Sequence, residues 1–455
     1  MKIHLYIFFL ILYLDIIYSY ITFPLLKDLP NFLQTDSSSI KIKKSFDSNL
    51  YIIINIGSEN KDVKVYLSME RFELMIAGRG ISTHIYDENT SNSYNCSYCV
   101  EKEFSYGKYN KGIISTESMN IKFNNKDIKK INNINFILGT SSIYLNPHQG
   151  FVVLILPYYD SSINYNLFYS LKNTNITGSY NWYLNFTEND NSNMVLDILP
   201  HELNNQKYNK PNYKTIKAVN DGYYLIWALN FDNAYYDNEK NNISLMDYTQ
   251  AKFDFSIKYI LAPNETGVFF ENNFFEEYYK KNLCFKEQIE KDSQIYYFIY
   301  CSNTKDFNIN KFKNIYFKHI ELNSIFELNY KDLFYIDNNY IYFLILFHDE
   351  IYWSFGELFL NKYTFVFNPD QKTIGFYQNF LNDKKSPEPE NTNIDFYKIL
   401  YIVLLSLILI GVIIVLIVVF LKKGKRKNRA NEMDDDYEYM AKKENEDNDR
   451  ILSPD

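Results

Sequence analysis

Over most of its length the chain alternates short apolar runs with polar turn clusters. The runs NLYIIINIG, DVKVYLSM, FVVLILPYY, YYLIWALNF, QIYYFIYC and YIYFLILF are rich in Ile, Val, Tyr and Phe, and groups of Asn, Asp, Gly and Ser separate them. β-Branched and aromatic residues suit a pleated, half-buried surface, and the turn residues supply the bends between strands. The pattern therefore predicts a mainly β domain. Helical spacing is scarce. Residues 270–281 are the exception, with aromatics on one stripe and charges on the other, and predict a short amphipathic helix.

Two longer apolar stretches stand apart. Residues 1–19 place Lys2 before an apolar run and small Ser19 at its end, the layout of a secretory signal peptide. Asp15 interrupts the run, so an uncleaved anchor is the alternative. Residues 399–421 read ILYIVLLSLILIGVIIVLIVVFL with no charge. As a helix this segment is about 34 Å long, enough to cross a bilayer. Lys422, Lys423, Lys425, Arg426, Lys427 and Arg429 follow at once, which predicts a cytoplasmic tail and a single-pass type I membrane protein. The region between the two stretches is then lumenal or extracellular.

Residues 381–398 are polar, carry Pro387 and Pro389, and read as a stalk. The tail, 422–455, is densely charged and is expected to be disordered. Its YEYM and DNDRIL strings resemble tyrosine-based and acidic dileucine signals that sorting adaptors read; a plain solvated tail is the alternative.

An exported ectodomain gives meaning to two further features. Sequons fall at Asn89, Asn95, Asn175, Asn185, Asn242 and Asn264, all between the apolar stretches, and mark candidate glycosylation sites. The four cysteines form two local pairs, Cys96 with Cys99 and Cys284 with Cys301, which suggests disulfides. A CxxC can also be a redox motif, but no thioredoxin-like strand and helix surround this one. The 455 residues leave about 360 for the ectodomain, enough for a large core or two lobes. A net charge of −8, with no basic stripe outside the tail, argues against a nucleic-acid binder. No HExxH, GxSxG or Walker loop is present. The HDE triplet at 348–350 reads as a solvent-facing strand end rather than a metal site, and no metal or other cofactor is expected.

The run WSFGELFLNKYTFVFNPDQKTIGFYQ, 353–378, resembles the C-terminal strands of pepsin-like aspartic peptidases. There a Gly-containing turn leads to a strand of pattern FL-x-x-Y-x-x-F, then a turn and GF. Gly356, Phe359, Leu360, Tyr363, Phe367, Gly375 and Phe376 hold the matching places, and two alternating strands joined by NPDQKT are expected. Further matches follow in order. Residues 49–67 resemble the strands leading to the first catalytic loop, and FSYGKYNKG the flap hairpin, with Tyr106 at the flap tyrosine and Gly107 beside it. NFILG at 135–139 is similar to the GILG strand, YYLIWALNF to the strand opening the second lobe, and the Cys284–Cys301 spacing to the second-lobe disulfide. The resemblance spans 45–380. It implies a bilobal fold, with an N-terminal lobe at 45–215, a C-terminal lobe at 216–380 and a peptide-holding cleft between them.

The chemistry of that family needs two aspartates about 3 Å apart that share one proton. Each lies in an Asp-Thr/Ser-Gly loop whose small residues pack closely and donate to the carboxylates. Aligned on that pattern, KVYLSMERFELMI puts Ser68 at the first aspartate, followed by Met69 and Glu70. AKFDFSIKYILAP puts Asp254 at the second, followed by Phe255, Ser256 and Ile257. Serine does not ionise in the useful range, and Glu70 is read as paired with its neighbour Arg71. The bulk of Phe255 is expected to disturb its loop. The resemblance, so altered, implies a binding domain that holds a peptide or protein ligand by β-augmentation without cutting it. The alternatives are an active aspartic endopeptidase with an atypical dyad, and a purely structural surface protein.

Overall fold

Alternation decides which face of each strand is covered. In the strand Leu50–Ile56, residues Leu50, Ile52, Ile54 and Ile56 are buried while Tyr51, Ile53 and Asn55 point away from the core. The computed structural model describes residues 20–377, apart from 29–36, 69–73, 79–85, 105–109, 124–127, 142–149, 154–164, 188–191, 221–224, 237–242, 292, 320, 322–324 and 338. These residues belong to one compact unit, Met1–Asn382. The expected signal peptide, stalk, membrane span and tail lie outside the described residues. Among the described residues no helix is long and apolar enough to cross a membrane.

The protein is mainly β, as its alternation predicts. Among the described residues there are twenty-seven strands, of which twenty are labelled here. The first half holds β1 (Ile21–Pro24), β2 (Leu50–Ile56), β3 (Lys61–Ser68), β4 (Met75–Ala77), β5 (Asn95–Phe104), β6 (Asn110–Lys122), β7 (Ile128–Ser141), β8 (Gly150–Val153), β9 (Trp182–Asn185) and β10 (Asn193–Leu196). The second holds β11 (Tyr213–Lys217), β12 (Ala228–Tyr236), β13 (Ile243–Phe253), β14 (Ile260–Pro263), β15 (Cys284–Lys291), β16 (Gln294–Ser302), β17 (Ile345–His348), β18 (Trp353–Phe355), β19 (Val366–Asn368) and β20 (Thr373–Tyr377).

The pairing order is the same in both halves. The eight-stranded first sheet contains the order β2-β3-β8-β4-β7-β6-β5, and the eleven-stranded second sheet, which continues past both ends of the matching part, contains β12-β13-β18-β14-β17-β16 with β15 on β16. Within each, a parallel strand (β8 or β18) lies between two strands that are consecutive in sequence. The first sheet also curls, because β2 pairs back onto β6 at Asn55↔Asn120 and Ile56↔Met119. A third sheet takes strands from both halves in the order β1-β10-β9-β19-β20-β11. At its centre Trp182 pairs with Phe367 and Tyr183 with Val366, and the Trp182 and Phe367 rings stack at 4.4 Å. One aromatic-rich core runs through all three sheets.

The amphipathic helix is present as a helical run from Asn264 to Lys280 that includes a π-helical turn. It buries Phe270, Phe274, Phe275 and Tyr278, while Lys280 and Lys281 pair with Glu276 and Glu277 one turn back. Residues 357–362 form a helix, α1 (Glu357–Lys362), rather than a strand. Phe359, Leu360 and Tyr363 share a stripe at helical spacing and pack inward, so their burial is met by a single turn and a half. The hairpin is correspondingly shorter, joining β19 to β20. NFILG lies in β7, which pairs parallel with β4 as β17 pairs with β14, and β8 holds the place in the first sheet that β18 holds in the second.

Candidate functional site

Asp254 sits where β13 ends. Its backbone N–H donates to Phe355 O on the adjacent β18 at 3.0 Å, which fixes the start of the loop. Its Oδ1 accepts two bonds from Ser256, from the backbone N–H at 2.9 Å and from Oγ at 2.6 Å. The residue as a whole is half-buried, and burial of the carboxyl is the main influence on its ionisation. Burial pushes the carboxyl above the ordinary carboxylate range and Asp47 adds to the rise, whereas the Ser256 bonds and Lys291 act against it.

The large residue after Asp254 does not disturb the loop. Phe255 is fully buried, with its ring 5.3 Å from Trp182 and 5.2 Å from Phe367. Its bulk therefore enters the aromatic centre of the third sheet, and the loop is anchored there instead of being kept small. Ser256 adds a hydroxyl donor to the backbone N–H that any residue there would supply. Gly356 closes the far side. A Cβ there would lie 2.2 Å from Tyr259 O and 2.7 Å from Ile257 O, so only glycine allows this approach.

A segment remote in sequence straps the same loop. Helix Ser38–Lys44, capped by Ser37, leads into residues 45–48. Ser48 N–H donates to Ser256 O at 2.8 Å, and Lys258 N–H to Phe46 O at 2.8 Å. Ser48 Oγ donates to Phe255 O at 2.5 Å, and Ser45 Oγ shares a 2.5 Å bond with Tyr259 OH. Asp47 pairs with Lys291, whose ammonium lies 4.7 Å from the centre of the Phe46 ring. Sequence reasoning missed these partners. Over two hundred residues separate Ser48 from Phe255, and nothing local marks a serine as the partner of a distant carbonyl.

Ser68 is the last residue of β3, 6% exposed, and pairs with Val153 of β8. The registers relate it to Asp254. In the first half Phe151 on β8 faces both Tyr66 and Met75, and in the second Ser354 on β18 faces both Lys252 and Leu261. The two partners are nine residues apart in each half, and the covered faces agree. Val65 and Leu67 match Ala251 and Phe253 in the core, and Leu74 and Ile76 match Ile260 and Ala262. On this register Ser68 stands where Asp254 stands, each two residues past the paired position.

Other expected positions fall unevenly. Met69, Glu70 and Arg71 lie outside the described residues, as do Tyr106 and Gly107; β5 and β6 on either side of the latter pair up to Phe104↔Asn110. Both disulfides are present, Cys96–Cys99 within β5 and Cys284–Cys301 directly across β15 and β16. Asn89, Asn95 and Asn175 are exposed, and Asn185 is half-buried. Asn264 is also half-buried, and its amide donates to Asp349. Asn242 lies outside the described residues. His348 is not solvent-facing. It ends β17 at 4% exposure beside Tyr296 and Tyr352, while Asp349 and Glu350 are exposed. The reason is that β17 is buried along its whole length, its last residue included. Among the described residues, no group of three or more His, Cys, Asp or Glu is placed to hold a metal ion.

No known family model matches the chain, and no curated protein matches it.

Proposed function

We propose that this chain is a single-pass type I membrane protein whose ectodomain is a two-lobed, pepsin-like domain that binds peptide or protein ligands without cleaving them. The observation that carries the reading is the shared register of Ser68 and Asp254 in two copies of one strand frame. A dyad needs two ionisable groups that share a proton, and here one of the two matching positions holds a hydroxyl that does not titrate in the useful range. Asp254 is bonded twice by its own Ser256 and its loop is strapped by Ser48, so its surroundings suit a fixed structural loop. An extended ligand would add to the sheet edges of the cleft through main-chain hydrogen bonds, with side-chain pockets giving specificity. The apolar segment 399–421 and the basic residues after it support the anchored orientation, and the tail strings support recognition by sorting adaptors.

The test uses the purified chain in detergent on a mixed peptide pool from pH 3 to 6, with and without a statine-type transition-state mimic. The expected result is retention of a subset of peptides with no cleavage. Mimic-sensitive cleavage that vanishes in Asp254→Ala would overturn the proposal in favour of an active endopeptidase. Neither retention nor cleavage would leave a structural surface protein.

A further inference from the structure

The two disulfides sit in matching hairpins and in opposite surroundings. Cys284 and Cys301 face each other across β15 and β16, are 3% and 1% exposed, and belong to the main core. They tie two strands that are also held by a continuous ladder. Cys96 and Cys99 tie only β5 to itself, three residues apart. Cys96 is partly exposed and Cys99 is exposed. The ladder to β6 runs Asn95↔Thr116 and Cys96↔Ser115, then resumes at Glu101↔Ile113, so the residues between form a bulge. Cys99 itself has φ of 46°, a left-handed conformation that costs energy for a residue with a side chain.

We infer that Cys96–Cys99 is a thiol–disulfide exchange site, a reversible two-electron switch in the β5–β6 hairpin that a dithiol reductant opens while Cys284–Cys301 stays closed. Attack needs a disulfide that the incoming thiolate can reach, and Cys99 is exposed while Cys284 and Cys301 are buried. One thiolate of the reductant bonds to Cys99 Sγ, the Cys96–Cys99 bond breaks, and Cys96 leaves as a thiolate that takes a proton. The second thiol of the reductant then attacks its own sulfur in the mixed disulfide and releases Cys99. The protein gains two electrons and two protons, and the reductant becomes a cyclic disulfide. Closing so short a loop restricts the unfolded chain little, so opening it weakens the whole fold little. Its effect is local. It frees the bulge and lets Cys99 leave its left-handed conformation, so the register of β5 against Ile113–Ser115 loosens. The switch therefore acts on the described arms β5 and β6 and does not depend on any ligand binding in the proposed cleft.

The full chain in detergent would be incubated with graded dithiothreitol under native conditions, and its free thiols capped with N-ethylmaleimide. Peptide mass spectrometry then gives the labelled fraction at each cysteine. We expect Cys96 and Cys99 to reach half-labelling at a reductant concentration at least tenfold below that for Cys284 and Cys301, and to close again with oxidised glutathione. Amide exchange at 113–115 should rise on reduction, and a Cys96→Ser, Cys99→Ser double variant should show the same rise without reductant. Both pairs opening together, or Cys96–Cys99 opening only in denaturant, overturns the exchange site. Selective opening with unchanged exchange at 113–115 overturns the switch. Running Asn95→Gln in parallel removes any glycan at the adjacent sequon, so a protected disulfide in that variant counts against the proposal.

Discussion

Ser68 and Asp254 stand in matching registers. Each lies two residues beyond a position, Tyr66 or Lys252, that faces a parallel crossing strand, and that strand's residue also faces a partner nine residues on, Met75 or Leu261. Their settings are not alike in chemistry. Ser68 closes a strand at 6% exposure, whereas Asp254 opens a loop that accepts two bonds from Ser256.

On the proposed pepsin-like reading, a carboxyl introduced at Ser68 should not confer peptidase activity. Ser68→Asp places an acid at a buried strand end, followed by Met69 and Glu70 instead of small donors. We expect no cleavage of a fluorogenic peptide pool between pH 3 and 6. We also expect a loss of about 1–3 kcal/mol in stability at neutral pH, where the acid is charged, as read by denaturant unfolding. The loss should shrink on acidification, because the protonated acid is cheaper to bury.

Asp254 makes stability depend on pH in the direction unusual for a carboxylate. Its folded pKa is raised, chiefly by burial, so the native state holds this proton more tightly than the unfolded chain, whose ordinary value is 3.8. Below that value both states are protonated and the group contributes nothing. As pH rises through the folded value, the native state is destabilised. Asp254→Asn keeps an acceptor for Ser256 and removes the charge. Its melting temperature should exceed that of the wild type at pH 7 by about one to three degrees, with the gap closing towards pH 4. A gap independent of pH would reject this assignment.

Three buried histidines act in the opposite sense. Burial pushes the pKa of His201, His319 and His348 below the ordinary 6.5, so the unfolded chain binds protons more readily. Their contribution is complete above 6.5 and is lost as pH falls through that value towards the folded ones. His201 Nδ1 lies 2.8 Å from Tyr377 OH, which also accepts the His201 backbone N–H, so a protonated ring loses its acceptor role there. Stability measured at pH 7 and pH 5 should fall on acidification, and His201→Gln should fall less.

The anchoring of the Asp254 loop predicts graded losses. Phe255→Ala empties a site beside Trp182 and Phe367 and should cost about 3–5 kcal/mol. Ser48→Ala removes one bond to Phe255 O and should cost about 1 kcal/mol. Equal losses in urea unfolding would show that the ring is not the main anchor.

Gly356 and Gly178 make a controlled pair. Alanine at 356 drives a Cβ into two backbone carbonyls and should cost about 3 kcal/mol or more, or prevent folding. Alanine at 178 meets nothing nearer than Asp197 Oδ1 at 3.6 Å and should change stability by less than about 1 kcal/mol. Thermal melts of the two variants separate a steric requirement from a general intolerance of alanine.

Much of the fold was legible. Alternating Ile, Val, Tyr and Phe mark strands because a sheet with one covered face demands that period, and β2 follows it throughout, whereas β16 buries both Phe298 and Ile299. The helix from Asn264 to Lys280 shows its own period in part. Residues 357–362 misled because FLNKY fits a strand or a short helix equally well, and only the packing of Phe359 against Phe355 and Phe326 chooses between them. At the site, Ser68 and Asp254 could each be singled out locally by resemblance, while their correspondence rests on the strand registers. Ser48, Lys291 and Trp182 could not, since each reaches the loop from a different part of the chain.

By itself the sequence determined the strand-rich character, the local cysteine pairs and the apolar and basic segments near the C-terminus, because each depends on neighbours a few residues apart. Only the tertiary structure decided that the two halves repeat one pairing order and that Ser68 corresponds to Asp254. It alone decided that Phe255 is an anchor and not an obstruction, and that one disulfide is buried while the other lies in an exposed bulge. Those outcomes rest on strand register and on which surfaces meet across long separations, and the burial that fixes them is a property of the assembled sheets.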